Sequence, residues 1–425
     1  LPDFVSRRDI EESLASVSVD TVIAPQAKIS ANATGPESAD GPRPFGRDLL
    51  NIAAEDLLRT GAPPLDAPGI GDDAPLMLLQ SSGTTGAPKT FLYSHADMFE
   101  WVKRYASAQK WNADDRCLSL NHMSFAIGRN VCMGMLHTGA TIVVGHADSA
   151  EELVRFIQEK HITYVKLTPA HTKLLLTFKS DREPLFPDVR AMVVGSAPTT
   201  QEERHLARRK LTDNFYEQLG TNEAGLLVMA TPADQDSHPE ALGRVVEGVE
   251  AEVVDDDGMR LAPGEIGQVR YRGAGIASHY LDNPEANART FRDGWFYPGD
   301  LASIDAEGYL YHKGRADDLI NNEGAKFYPI ELENVLLSHP DVVEAVVLGW
   351  PHKRHGQVAA AFVVRDSQST DDKDLIAYCR EHIATHKRPA VIIRLSELPK
   401  NAMGKVIKNS LRGQLNTKLR NRKPN

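Results

Sequence analysis

The 425-residue chain has little cysteine: Cys117, Cys132 and Cys379 lie at spacings that suit no metal site. Their odd number argues against a disulfide framework, and reduced cytoplasmic thiols are the expectation. No uninterrupted apolar run approaches the ~20 residues that a membrane-crossing helix needs. The opening Leu1-Pro2-Asp3-Phe4 lacks a secretion-signal pattern and an initiator Met, so the natural amino terminus is expected upstream. Positive charge is in deficit, with 48 Lys and Arg against 58 Asp and Glu, a formal net charge of -10. That excludes a broad nucleic-acid surface, which needs clustered cations. The one basic stretch, from Lys418 to Lys423, reads as a solvated tail. There is no internal repeat.

What is present is a globular composition, 41% hydrophobic and 25% charged, in a chain long enough for a large domain and a smaller one. Residues 9–23 read as a helix running into a short strand, and 27–46 as a loop. From Ala74 the texture becomes alternating α/β. A buried strand at 76–79 is followed by a Gly/Ser/Thr loop and an amphipathic helix at 96–108. Apolar runs at 140–144, 164–167 and 191–194 have the rhythm of a parallel sheet with crossovers. After Gly243 the pattern turns all-β, with 250–254 and 268–271 flanking the turn Asp255-Asp256-Asp257-Gly258 as a hairpin-like subdomain. A junction falls near Gly314-Arg315. Beyond it, helices at 330–337 and 372–384 and strands at 342–348 and 359–364 make a small α+β domain.

The densest local signal is Ser81-Ser82-Gly83-Thr84-Thr85-Gly86-Ala87-Pro88-Lys89, directly after the first apolar strand. Small residues let backbone N–H groups approach phosphate oxygens, hydroxyls add donors, and a lysine adds charge. Counting from Gly83, the second glycine of a G-x-x-x-x-G-K-[ST] nucleotidase loop falls on Pro88, so that pattern fails. An ordinary flexible turn is the competing reading.

At these residues the sequence resembles the adenylate-forming superfamily, which holds acyl- and aryl-CoA synthetases, adenylation domains of peptide synthetases and luciferases. It looks most like the acyl- or aryl-CoA ligases. The resemblance runs in order through almost the whole chain. Ser82 to Lys89 looks like the family's phosphate loop, implying that Ser81, Ser82, Gly83, Thr84, Thr85, Gly86 and Lys89 bind ATP and that Thr84 acts in catalysis. Gly195-Ser196-Ala197-Pro198 is similar to the adenine-side turn. The segment from Glu217 to Glu223 resembles the aromatic-Gly-x-Thr-Glu element, with Glu217 and Asn222 on the nucleotide and Glu223 as the Mg²⁺ ligand. It departs from the family at Leu219, where an aromatic is usual, and at Asn222, where Thr is usual. Asp300, in Trp295-Phe296-Tyr297-Pro298-Gly299-Asp300, would bind ribose hydroxyls. Arg315 would contact ribose or phosphate, and Asp317 would be the hinge pivot. Lys405 resembles the catalytic lysine of adenylation, with Lys400 and Lys408 as less well spaced alternatives.

The same resemblance implies a large amino-terminal adenylate-forming domain over 1–314, of α/β class with a β-rich subdomain, and a small mobile α+β domain over 315–425. An acyl pocket would use His122, Phe125, Ile127, Gly195, Gly220 and Gly225. His122 stands where amino-acid-activating relatives carry Asp, which favours an aryl or medium acyl acid over an α-amino acid. Arg129 either faces solvent or pairs with a second substrate carboxylate. Gly324 and Lys326 would line a thiol tunnel for coenzyme A or for the phosphopantetheine of an acyl carrier protein. Relatives carry a longer stretch before the phosphate loop, so either the sequence is incomplete there or the protein is a compact variant. The expected function is ATP- and Mg²⁺-dependent activation of a small carboxylic acid, then transfer to a thiol. The alternative, suggested by Leu219 and Asn222, is a degenerate nucleotide-binding relative. Oligomeric state stays open.

Overall fold

A computed structural model describes residues 21–24, 50–53, 71–81, 89–121, 126–195, 199–352, 354–365, 372–400 and 406–420. The helix expected before residue 21 and the loop at 27–46 lie outside the described residues. Contacts divide the chain into residues 1–74 with 121–130, and residues 75–120 with 131–425. In the first unit β1 (Thr21–Ala24) pairs in parallel with β2 (Leu50–Ala53).

The second unit opens with a two-stranded antiparallel ribbon, β3 (Pro75–Ser81) and β4 (Lys89–Ser94). The sequence predicts only the first strand, as part of a parallel sheet. Lys89 to Ser94 holds only the short apolar run Phe91-Leu92-Tyr93 after the polar Lys89 and Thr90, and the ribbon stands apart from the large sheet. Ser94 then caps α1 (His95–Gln109) in a reciprocal box with Asp97. Met98, Trp101, Val102 and Tyr105, at helical spacing, form its buried face.

The large sheet has 13 strands. Five run parallel in the order β6 (Thr141–Val144), β5 (Arg116–Ser119), β7 (Tyr164–Leu167), β8 (Ala191–Val194) and β9 (Phe215–Thr221). Their crossovers include α2 (Ala126–His137), α3 (Ala150–Glu159), α4 (Pro169–Thr177) and α5 (Gln201–Lys210). Leu153, Val154 and Ile157 of α3 join Leu118, Val165 and Met192 of the strands in one apolar core.

At the turn after β9 the sheet changes sense, because β10 (Gly225–Ala230) returns antiparallel. Helix α6 (Pro232–Ser237) follows, and β11 (Gly243–Val245) extends the sheet. β12 (Glu250–Val254) pairs β13 (Gly267–Arg272), as the sequence predicts. Helix α7 (Pro284–Thr290), the short β14 (Phe291–Arg292) and β15 (Trp295–Phe296), then β16 (Asp300–Ile304) and β17 (Tyr309–Arg315) complete it. The β-rich region is therefore not a separate hairpin. β11 links β10 to β17, so the parallel and antiparallel parts share one sheet.

The carboxyl-terminal part holds β18 (Ile320–Asn322), β19 (Ala325–Phe327), α8 (Pro329–Leu337), β20 (Val342–His352), β21 (Gly356–Arg365), α9 (Asp372–His382), β22 (Pro389–Leu395) and α10 (Lys408–Arg420). Its five strands form their own sheet, with β21 and β22 parallel. Leu332 and Leu336 of α8 and Leu375 and Cys379 of α9 bury against Val347 and Ala361. The mixed α/β architecture with a smaller carboxyl-terminal sheet is the fold class the sequence predicts.

Candidate active site

The ribbon β3–β4 is the stem of the Gly/Ser/Thr loop, and its register sets Ser81 opposite Lys89. A strand projects alternate residues to one side, which groups Lys89, Phe91 and Tyr93. The Tyr93 hydroxyl donates to the backbone carbonyls of Glu223 at 2.8 Å and Asn222 at 3.1 Å. The Asn222 amide donates to the carbonyl of Gln80 at 3.1 Å. The turn where the sheet changes sense is thus tied to both strands of the loop's stem.

Glu223 is 8% exposed. One of its carboxylate oxygens accepts from the Tyr280 hydroxyl at 2.9 Å. Lys89 Nζ lies 5.0 Å from the centroid of the Tyr280 ring. Burial, and then the negative charge of Glu223, holds the Tyr280 phenol well above the usual tyrosine range. Tyr280 therefore donates its proton without losing it. Glu223 is the carboxylate of this corner that a hard cation could use.

The other end of β9 behaves differently. Glu217, also buried, receives Arg204 Nη1 of α5 at 2.8 Å and the Thr199 hydroxyl. Burial raises the Glu217 carboxyl, and Arg204 opposes the rise. Arg204 also donates to the carbonyl of Pro239. The structure pairs Glu217 with Arg204 and Thr199, a brace under residues 199–204.

Beneath the turn the packing leaves no room for side chains. Gly225 has φ +70°, and a Cβ there would lie 1.2 Å from Trp101 Nε1. A Cβ on Gly220 would meet the Gly225 carbonyl at 2.4 Å. Arg104 of α1 donates to the Ala224 carbonyl at 2.7 Å and to that of Ala274. Burial depresses this guanidinium below its usual range. Gly195 follows β8 and faces Gln218, whose side chain accepts from Gln109 at 2.7 Å. Gly195 thus sits against Gln218, Gly220 against Gly225, and Gly225 against Trp101, a neighbour the sequence reading did not name.

Asp300 and Arg315 are register partners on β16 and β17, with Arg315 Nη1 3.3 Å from Asp300 Oδ1. Arg315 also donates to Pro298 O at 2.9 Å and to Asp317 Oδ1 at 2.9 Å. Burial pushes the Asp317 carboxyl up, but Arg315 outweighs it and holds the group below the usual range. Gly324 and Lys326 lie on the exposed hairpin of β18 and β19, Gly324 with φ +90°. Lys400 pairs with Glu344 at 2.5 Å, and Lys408 pairs with Asp318. Ser82, Gly83, Thr84, Thr85, Gly86, His122, Phe125, Ser196, Ala197 and Lys405 lie outside the described residues, as does the side chain of Ile127.

Two family models match the chain. One, described as AMP-binding enzyme, spans residues 5–281, and the other, AMP-binding enzyme C-terminal domain, spans 331–405. The chain belongs to the AMP-binding enzyme family. An indoleacetate–CoA ligase of Aromatoleum aromaticum is 30% identical over 366 residues, 85% of this chain and 71% of that protein. A fatty acid–[acyl-carrier-protein] ligase, ScoC of Streptomyces coeruleorubidus, is 31% identical over 80% of this chain and 67% of its own. The crystal structure of ATP-bound MatB from Rhodopseudomonas palustris shares the fold with a TM-score of 0.87 at 24% identity, over 97% of this chain and 82% of that one. As a member of the AMP-binding enzyme family this protein is an ATP-dependent, AMP-forming acid:thiol ligase.

The sequence reading passed over Tyr93, Trp101, Arg104, Arg204 and Tyr280. For Tyr93 a signal existed, the short aromatic-rich run Phe91-Leu92-Tyr93, which favours a strand. Tyr280 had none, since it meets Glu223 across 57 residues. No helix among the described residues is long and apolar enough to cross a membrane.

Proposed function

We propose that this enzyme joins ATP to an aryl or medium-sized acyl carboxylic acid as an acyl-AMP, with release of pyrophosphate, and passes the acyl group to coenzyme A. The observation that carries the reading is the joining of the Ser81–Lys89 stem to the Asn222–Glu223 turn by Tyr93 and Asn222. A hydroxyl- and glycine-rich loop suits phosphates, and a carboxylate anchored beside its stem suits the cation that accompanies them.

Mg²⁺ fits the donor set. Glu223 offers a hard oxygen, and no group of three His, Cys, Asp or Glu among the described residues could hold a metal. Phosphates and water would then complete the coordination, the usual pattern for this ion. Bound there, Mg²⁺ would neutralise phosphate charge. The chain's own groups do the rest. Asp300 accepts from the ribose hydroxyls, with Arg315 beside it, and Asn222 and Lys89 steady the phosphates. Attack of the carboxylate on the α-phosphorus brings two anions together, and Lys405 is the cation between them. The neighbouring candidates Lys400 and Lys408 pair with Glu344 and Asp318. In the second step the thiol sulfur attacks the acyl carbon and AMP leaves.

The division into residues 1–314 and 315–425, with its pivot at Asp317, has support in Gly314, whose φ of +116° lies where other residues are strained. Such a hinge lets Lys405 and the Gly324–Lys326 hairpin take turns at the acyl group. The aryl preference has support in the indoleacetate–CoA relative, and acyl transfer to a carrier protein has support in ScoC. The three cysteines are free and buried, consistent with a cytoplasmic setting.

The test is acid-dependent exchange of pyrophosphate into ATP across aryl, fatty and dicarboxylic acids, followed by thioester assays with coenzyme A and with carrier proteins. At least one acid is expected to support exchange. Lys405→Ala is expected to slow it by about 10²–10³-fold. ATP binding without exchange for any acid would instead mark a nucleotide-binding relative that has lost the chemistry.

A further inference from the structure

Glu223 is gripped twice by tyrosine. Tyr93 holds its backbone carbonyl at 2.8 Å, and Tyr280 holds its carboxylate at 2.9 Å. Both rings meet Phe91 edge-on, with centroids 5.5 and 6.3 Å from it. Tyr280 is 4% exposed and packs its other side on Phe291 at 5.1 Å. The backbone fixes it as well, because Leu281 N donates to the Thr90 carbonyl at 2.7 Å. The enclosed phenol donates its hydroxyl to the carboxylate, with Thr290 as a further hydrogen-bond partner. Over the π face of the ring, Lys89 Nζ stands at 5.0 Å from the centroid.

We propose that Tyr280 is a positioning residue that couples the end of the phosphate loop to the metal carboxylate, its hydroxyl aiming Glu223 and its ring seating Lys89. This rests on the assignment of Glu223 to the metal and of Lys89 to the phosphates. The physical case lies in the kind of partner. A guanidinium or ammonium on Glu223 would neutralise the charge a cation needs, whereas a neutral hydroxyl fixes the rotamer and leaves the charge in place. One oxygen is used by the phenol, and the carboxylate keeps acceptor capacity for a metal. On the ring face, the quadrupole attracts the Lys89 ammonium without removing its charge either. One side chain thereby orients both an anion and a cation.

The experiment is calorimetric ATP binding without acid, so that no reaction occurs, performed once with saturating Mg²⁺ and once in EDTA. Tyr280→Phe keeps the ring and its contacts and removes the hydroxyl. It is expected to weaken ATP binding about tenfold with Mg²⁺, equivalent to ~1.4 kcal/mol, and to leave binding in EDTA within about twofold. Tyr280→Leu removes the ring and is expected to weaken binding in EDTA as well, by about threefold, the scale of one cation–π contact. Glu223→Gln is expected to lose most of the Mg²⁺ enhancement, and adding Tyr280→Phe to it to change nothing further.

If Glu223→Gln loses the enhancement while Tyr280→Phe retains it in full, the coupling is overturned and the metal assignment stands. A Glu223→Gln enzyme with unchanged enhancement overturns the metal assignment itself. Equal weakening of Tyr280→Phe with and without Mg²⁺ makes the tyrosine a general packing residue and also overturns the proposal.

Discussion

Two buried carboxylates stand six residues apart at the two ends of one strand and its turn, and their partners set them to different work. Glu217 faces a guanidinium at 2.8 Å and the Thr199 hydroxyl. Glu223 faces a phenol at 2.9 Å. Burial penalises the Glu217 charge, and Arg204 answers with an opposite charge, which leaves little for any cation to gain there. On the proposed reading, Tyr280 meets Glu223 with only a dipole, so a full cation still has much to gain there. On that proposal the identity of the partner, more than burial, separates a brace from a binding group.

The largest expected effect breaks the first member of the pair. Arg204→Met strands Glu217 in a buried setting, and urea unfolding should show a loss of about 3–5 kcal/mol. The loss should grow with pH. Burial already raises the Glu217 carboxyl above its unfolded value, and removal of Arg204 raises it further. As pH rises through the interval between the unfolded and folded values, the unfolded chain releases its proton first, so stability falls. A loss independent of pH would mean that Glu217 finds another cation.

Glu223→Gln addresses the other member. Acid-dependent pyrophosphate exchange should fall by about 10²-fold, while the urea midpoint stays near that of the parent, since Tyr280 can still donate to an amide oxygen. Next in size is Gly225→Ala, which drives a methyl into the Trp101 indole at a backbone conformation with φ +70°. A destabilisation of about 1–3 kcal/mol is expected, with partial recovery on adding Trp101→Leu. The smallest effect belongs to Asp317→Asn. Its pair with Arg315 is 34% and 47% exposed, so stability should change by less than about 1 kcal/mol, and less still in high salt. A large effect on thioester formation at unchanged stability would identify Asp317 as the pivot.

The sequence disclosed one of these carboxylates more readily than it distinguished the two. The alternating strands and crossovers were legible because buried parallel strands read as short apolar runs, as at Tyr164–Leu167 and Ala191–Val194. The hairpin of 250–254 with 268–271 was legible from its turn residues. The ribbon strand Lys89–Ser94 was not, because its short apolar run Phe91-Leu92-Tyr93 lies between a loop-like composition and the helix that follows. Nor does sequence show that β11 joins two regions of different texture into one sheet, since that depends on pairings such as Gly243 with Leu310. Within the site, the motif order pointed to Glu217, Asn222, Glu223, Asp300 and Arg315 together. Their different partners arise from contacts across 13 to 142 residues, as in Arg204 with Glu217 and Asn222 with Gln80, which no local pattern encodes.

The most direct measurement follows acid-dependent pyrophosphate exchange over a range of Mg²⁺ concentrations in the parent, Glu217→Gln and Glu223→Gln enzymes. The account predicts that Glu223→Gln alone requires much more Mg²⁺ for half-maximal exchange, by about tenfold or more, with Glu217→Gln tracking the parent's Mg²⁺ curve. The contradictory result is a shifted Mg²⁺ requirement in Glu217→Gln with a parent-like curve in Glu223→Gln.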